Sequence, residues 1–468
     1  MSGLSLDQIH SAWQAFLFGP AEYELLAIYR IAVGLIIAIQ SFELIFMGWR
    51  FYSTEGWDGA CVSNILRNVK RLNVFRIDNA SAAWVRTVFI FRFVLALTFA
   101  AGFMSQLSAL LLYVIGVSQL RTNPKVDHGG NSFPRQMLAF MVLTPCSEVY
   151  SLDQIFGFNL WIKDTWLDYS WGTRIMQLQV CALYFCAFSH KIKVPEWLSG
   201  EAVGISAITS NFQRRHLRAP PLLDYRIVSI FATYFTLVLQ VVLPLTIWVE
   251  ELRLPSLILM LALHGGIAVA QNLWYFTAHF VAGWVLFLPA QWLLTGVSAP
   301  PHDPSLAAEI LISAWVLFCV NLMFVYGMPQ TAFTKAMKKI LLPRMVNYFR
   351  FLDNHWALFT ANQTFQSAIR FEVQLANKDG MFVLRPKHFI EKRFMNNLFD
   401  EANLKSFGQY LEKTYPEHDI QIVADKWVGV KASGFWGRYP SGRELTFESR
   451  TVLWLKIHSE SGVCFPAA

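Results

Sequence analysis

Nine stretches of the chain are apolar over lengths that bear on a bilayer: residues 25–47, 86–103, 105–121, 134–149, 173–190, 226–249, 254–272, 275–297 and 307–327. A helix needs about 20 apolar residues to cross roughly 30 Å of hydrocarbon. Several of the nine are shorter, so one is expected to be re-entrant or to lie in the interface, and the pattern predicts eight or nine spans. The opening MSGLSLDQIHSAW lacks the basic start and short apolar core of a cleavable leader and reads as an amphipathic lead-in helix. No repeat or heptad run stands out, which argues against a transporter built from inverted halves.

The pattern changes near residue 330. TKAMKKILLPRMVNYFRF is basic and amphipathic, as expected of a helix on the membrane surface. Beyond it, FEVQLANKDGMFVLRP reads as two alternating runs about a Lys-Asp-Gly turn, and IQIVADKWVGVKA and LTFESRTVLWLKIH alternate in the same way. The expected fold is therefore an α-helical polytopic membrane unit over 1–330, an amphipathic surface linker helix over 331–349, and a small C-terminal β-rich soluble domain over 350–468. A helical insertion is expected near 387–414, and the soluble domain is expected to pack against the membrane part.

Composition agrees: 54% of residues are hydrophobic and 15% charged, with a mean hydropathy of +0.37, far from the roughly one-quarter charged of a soluble chain. A net charge of +7 suits anionic headgroups or an acidic substrate, and nucleic acid is not an expected partner. The positive-inside rule puts the loops bearing Arg67, Lys70, Arg71, Lys125, Arg214 and Lys335 in the cytoplasm. The same charges placed over an active-site mouth would say nothing of insertion, so the side stays open.

Ionisable and polar residues in or beside the spans are the candidate chemistry. Arg30 lies inside the first span, where a charge must snorkel, pair or face a polar cavity. The segment QLRTNPKVDHGGNSFPR crowds Arg121, Asn123, His128, Asn131 and Ser132 around a Gly-Gly pair, which suits either a solvated loop or a helix start presented to a ligand. Lys191 ends an apolar helix that also carries Gln179, Tyr184 and His190. It is either a snorkelling anchor or, in a poorly hydrated pocket, an amine that sheds its proton and acts as a base. His264, alone in an apolar helix, is its candidate partner, or else a satisfied core histidine. Cys61 and Cys464 sit in polar surroundings and suit either a long-range disulfide or two free thiols. No HExxH, CxxC, GxSxG, P-loop or GxGxxG motif occurs, so no metal is expected and the common hydrolase, kinase and dehydrogenase routes lose support.

In order, LLAIYRIAVGL, RTNPKVDHGGNSFPRQMLAFMVLTP, VYSLD, LQVCALYFCAFSHKIKVPEWLSG, LALHGGIAVAQNLWYFTAHFVAGWVLFLP, HWALFTANQ and NKDG resemble the horizontally transferred transmembrane domain family, the family of the vitamin K-dependent γ-carboxylase. The likeness runs over about residues 22–300. It implies that Lys191 is the base that deprotonates a reduced quinone of the vitamin K or menaquinol type, with O2 and CO2 as further reactants. It also implies a glutamate in an acidic peptide as the carbon acid.

His190 stands where the carboxylase has another lysine, and Asn131 where it has a histidine. Arg30, Arg121, Asn123, His128, Asn131, Ser132, Gln179 and Tyr184 are the expected quinone and substrate contacts, and Lys191, His190 and His264 the expected catalytic set. The likeness also implies a link between the first loop and the tail, for which Cys61 and Cys464 are the counterparts, and a place in the bacterial cytoplasmic membrane. A second class within the family handles or matures a small secreted protein or toxin without carboxylation. A transporter or channel would need polar residues lining several spans, whereas here they gather at span ends.

Overall fold

The computed structural model describes residues 5–68, 72–158, 165–208, 225–271, 273–289, 292–293, 295–340, 367–377, 380–384, 391, 394–395, 398–428 and 446–456. The first helices are α1 (Leu6–Leu17), α2 (Tyr23–Met47), α3 (Trp49–Tyr52), α4 (Gly59–Asn68), α5 (Ala82–Ala101), α6 (Ser105–Thr122), α7 (Gly129–Met141) and α8 (Leu152–Phe156). There follow α9 (Trp171–Lys191), α10 (Pro195–Leu198), α11 (Ala202–Ile208), α12 (Arg226–Thr246), α13 (Glu250–Ala270), α14 (Trp274–Trp284), α15 (Leu306–Gly327) and α16 (Ala332–Ile340). The C-terminal part holds strands β1 (Ser367–Asn377) and β2 (Gly380–Leu384), helix α17 (Glu401–Thr414), and strands β3 (Asp419–Val428) and β4 (Thr446–Lys456).

The molecule is thus mostly helical, and among the described residues five helices are long and apolar enough to cross a membrane: α2, α5, α12, α13 and α15. The expected boundaries shift where the chain turns earlier than its hydropathy. The window 134–149 gives α7, which stops at Met141 ahead of Pro145, and the window 275–297 gives α14, which tightens into a 3-10 turn over Val285–Phe287 before Pro289. Serines start several helices: Ser5, Ser81 and Ser305 cap α1, α5 and α15, each accepting from a backbone N–H in the first turn.

Close contacts hold the bundle. At Gly34 on α2 a Cβ would meet Ala100 of α5 at 2.8 Å, so those backbones approach as only a glycine allows. Gly102 ends α5 at a φ of +72°, and a Cβ there would strike Ser151 and the guanidinium of Arg30. Arg30 itself is buried; Nη1 donates to the Cys146 carbonyl at 2.6 Å and Nη2 to that of Tyr150. It fastens α2 to the turn after α7 instead of snorkelling. At the same end Glu24 accepts from Thr295 N, Thr295 Oγ1 and Gly296 N at 2.8–3.0 Å, and from the Tyr150 hydroxyl at 2.6 Å.

The tail forms the expected sheet, four antiparallel strands in the order β2-β1-β3-β4. Register pairs Phe371 with Ala424, Val373 with Ile422 and Leu375 with Ile420, which puts six apolar side chains on one face. Gly380, at a φ of +139°, starts β2; Lys378 and Asp379 of the expected turn lie outside the described residues.

The insertion is α17, begun by Asp400 as N-cap, and it carries the sheet onto the loop after α2. Ala60 N donates to Ser406 Oγ at 3.2 Å, Arg50 pairs with Glu391 at 2.6 Å, and Trp57 packs between Phe394 and Phe407. Lys125 pairs with Asp58 at 3.2 Å and also donates to Asn403 on α17. Burial raises the Asp58 carboxyl above its ordinary range, with Lys125 opposing. The Cys61 thiol is pushed up to about 11 by burial and then by Asp58 beside it. Its partner in the suggested link, Cys464, lies outside the described residues.

Arg30→Met leaves the Cys146 and Tyr150 carbonyls without a donor and is expected to lower the unfolding free energy by about 3 kcal/mol. Arg30→Lys should recover less than half of this, since an ammonium lacks the planar fork. Denaturant titration in detergent micelles checks both.

Candidate functional site

Helices α9 to α14 enclose a cavity of about 390 Å³, within the usual range for small-molecule sites. Its walls are apolar, with Phe231 and Phe235 of α12 and Phe276 and Phe280 of α14 prominent among them. Phe231 is 67% exposed and Val269 51% exposed on the outer faces of α12 and α13, so the cavity reaches the lipid-facing surface. Gly266 lines it too, and a Cβ added there or at Gly265 would meet nothing within 4 Å.

Few polar groups enter this space. Lys191, 3% exposed, is the last residue of α9 and contributes Nζ. Its carbonyl accepts from Val194 N, and Pro195 then starts the short α10, which brings Trp197 over the amine at 5.2 Å. Among the described residues no carboxylate and no hydrogen-bond acceptor meets that nitrogen. Across the cavity, His264 Nε2 lies 2.5 Å from the Tyr184 hydroxyl, which accepts from Trp284 Nε1 at 2.9 Å.

That hydroxyl has one hydrogen, and giving it to Nε2 makes Nδ1 the protonated nitrogen of a neutral His264. The opposite tautomer would orphan the tyrosine hydrogen. Nδ1 is buried with no partner among the described residues, and the Gln240 and Gln271 side-chain oxygens that line the same cavity are also unmet. Phe280 stacks between Phe133 at 4.6 Å and His264 at 5.3 Å, which fixes the imidazole plane.

Lys191, Tyr184 and His264 therefore converge, and the other expected residues do not join them. His190 Nε2 is 2.9 Å from the Gly327 carbonyl, tying the end of α9 to the end of α15 outside the cavity lining. Gln179 donates to Gln136 at 2.9 Å. Arg121 donates to the Leu72 carbonyl at 2.5 Å, and Asn123 to that of Phe51 at 2.9 Å while accepting from Lys125 N.

His128 is the N-cap of α7, its Nδ1 accepting from Gly130 N at 3.0 Å, and Asn131 accepts from Gln40 at 2.6 Å. Ser132 and Arg135 both donate to Asp127, at 3.0 Å and at 3.2–3.3 Å. Trp197 carries no signal in the sequence, because its role depends on the turn at Pro195. Arg92 on α5 carries the same signal as Arg30, an ionisable residue inside an apolar window. It donates to Ser41 and to Gln40, each at 2.9 Å.

Burial alone would raise the Asp127 carboxyl, but Arg135, His128 and Ser132 together outweigh burial and hold it below the ordinary range. Its stabilising contribution is thus present above the unfolded value near 3.9 and is lost as pH falls through the folded value. Asp127→Asn is expected to cost about 3 kcal/mol at neutral pH. The gap between wild type and variant should be constant above about pH 4 and shrink below it, as unfolding in micelles from pH 3 to 7 would record.

Comparison with curated proteins and with solved structures found no match. The HTTM domain matches residues 18–292, a stretch that contains every residue of the cavity and more than half of the chain. The protein belongs to the HTTM domain family.

Proposed function

We propose that this membrane protein is a quinone-dependent enzyme of the γ-carboxylase type, with Lys191 as the base. One observation carries the reading: the buried Lys191 amine, met by no acceptor among the described residues, faces an apolar cavity that opens toward lipid. The donor set fits a flat, lipid-soluble ring with oxygen at its edges, since the phenylalanines line its faces and polar atoms stand at only a few points. When bound with O2, a reduced quinone supplies the oxidation: hydroquinone, O2, a glutamate C–H and CO2 become quinone epoxide, water, a new carboxylate and a proton.

The chain's own residues do the rest. Lys191, as a neutral amine, accepts the ring hydroxyl proton, and the Trp197 face then holds the ammonium by a cation–π contact. His264 Nδ1–H donates to a ring oxygen, with Tyr184 and Trp284 keeping the tautomer. The aromatic walls exclude water from the base. On this reading α6, α7, α9 and α14 complete the crossings as shorter or more polar helices, giving eight or nine spans. The acidic peptide approaches from the end of α9, the side where α15 leads into the basic α16.

A second reading, peptide handling without carboxylation, draws on the loop 121–135, whose expected contacts are occupied by internal hydrogen bonds. It predicts activity indifferent to quinone and CO2.

Purified protein in nanodiscs should take up oxygen and form epoxide from reduced menaquinone analogues, and Lys191→Met should lower this at least ~100-fold with Tm unchanged. Wild type that binds no quinone and forms no epoxide would sink the proposal. Gly266→Phe has room for its side chain and fills the cavity. It should weaken analogue binding about tenfold or more, measured by quenching of Trp197 and Trp284, without loss of stability.

A further inference from the structure

The quinone proposed for the cavity has a reduced and an oxidised form of nearly one shape, and one residue of the lining can tell them apart. Gln271 follows α13 directly, 7% exposed, its backbone N–H donating to the Ile267 carbonyl at 2.9 Å. It stands seven residues on from His264, as Lys191 stands seven on from Tyr184, and the 2.5 Å contact between Tyr184 and His264 ties the two helices at the lower level. Seven helical residues rise about 10 Å. Gln271 is joined to Ser206 of α11, and Lys191 lies under Trp197 of α10, so both stand at one end of the same cavity.

The Gln271 side chain is held in one sense. Nε2 donates to Ser206 Oγ at 3.1 Å, and the Ser206 hydroxyl gives its own hydrogen to the Val203 carbonyl at 2.9 Å. Turning the amide over would set two acceptors against that one hydrogen and aim two N–H bonds at the apolar space. Oε1 is therefore the atom left to the cavity, and among the described residues nothing donates to it. A carboxamide oxygen so fixed accepts a hydrogen bond and cannot give one.

Lys191 and His264 do not discriminate in this way. A neutral amine accepts from a hydroxyl or donates to a carbonyl, and His264 Nδ1–H donates to an oxygen of either kind. A hydroquinone carries hydroxyl hydrogens at its ring edge, whereas a quinone or its epoxide carries acceptor oxygens only. Resting on the reading of the cavity as a quinone site, we infer that Gln271 selects the reduced form: Oε1 accepts a ring hydroxyl hydrogen, and Ser206 keeps it turned that way. Once the ring is oxidised, its oxygen and Oε1 face each other as two acceptors in a dry site, and the product gives way to hydroquinone.

Anaerobic titration of the full chain in nanodiscs with menadione and with menadiol, followed by quenching of Trp197 and Trp284, tests this. Wild type should bind menadiol about tenfold or more tighter than menadione. Gln271→Met, of similar length but without the acceptor, should bring the two affinities within about twofold. Ser206→Ala frees the amide to present its N–H to a carbonyl and should lower the preference too, while Lys191→Met should keep it. Equal affinities in wild type would overturn the inference, as would the wild-type preference retained in Ser206→Ala or in a folded Gln271→Met. Equal affinities with epoxide formation intact would overturn it alone. A Gln271-dependent preference without epoxide formation would overturn the enzyme and leave the selective site standing.

Discussion

Hydrocarbon offers a polar group no hydrogen bond, so each polar atom carried into the membrane part must find its partner within the protein. Much of this fold is built around that need. Arg30 reaches two carbonyls that the chain turns back to provide, and Gly102 exists in its left-handed form to let that guanidinium pass. Glu24 collects four donors at the same end. At the other end Asp127 and Arg135 neutralise each other, and His128 caps the helix that carries Arg135. Against that background a cluster of unmet groups is informative, and among the described residues His264 Nδ1 and the Gln240 and Gln271 side-chain oxygens come together in the Lys191 cavity.

The same constraint explains what could be seen in the sequence and what could not. Helices α2, α12, α13 and α15 stand out because they present apolar side chains to lipid as well as to neighbours. Helix α9 packs among α7, α12, α14 and α15 and carries Gln177 and Gln179 inward, so hydropathy understates it. The sheet was legible for the opposite reason: alternation survives on strands with one face on a core, and Gly380 marks a position only glycine fills easily.

The cavity has no linear signature, because its walls come from six helices and its polar atoms from residues as far apart as Tyr184 and Gln271. The dense polar stretch from Arg121 to Arg135 does not line the cavity. The crowded stretch from Arg121 to Arg135 must reverse direction at the membrane boundary beneath α17, and most of its side chains do that work. Asn123 and His128 cap helices, Lys125 bridges to Asp58 and Asn403, and Asn131 meets Gln40. His190 does not line the cavity either. Neighbours on a helix diverge by about 100°, so His190 turns to Gly327 while Lys191 turns into the cavity.

That divergence bears on whether Lys191 is an anchor or a reagent. An anchoring lysine extends its stem along the helix and leaves its ammonium in the headgroups, as Lys193, two residues on and exposed, is free to do. Lys191 gives up that hydration, and the chain reverses at Pro195 to place Trp197 over it. An indole face favours the ammonium, whereas the surrounding hydrocarbon disfavours a bare charge. A site that offers support to both forms without a counter-ion is what the proton-accepting role proposed for Lys191 requires, and neither feature is needed by a lysine that only marks the edge of the bilayer.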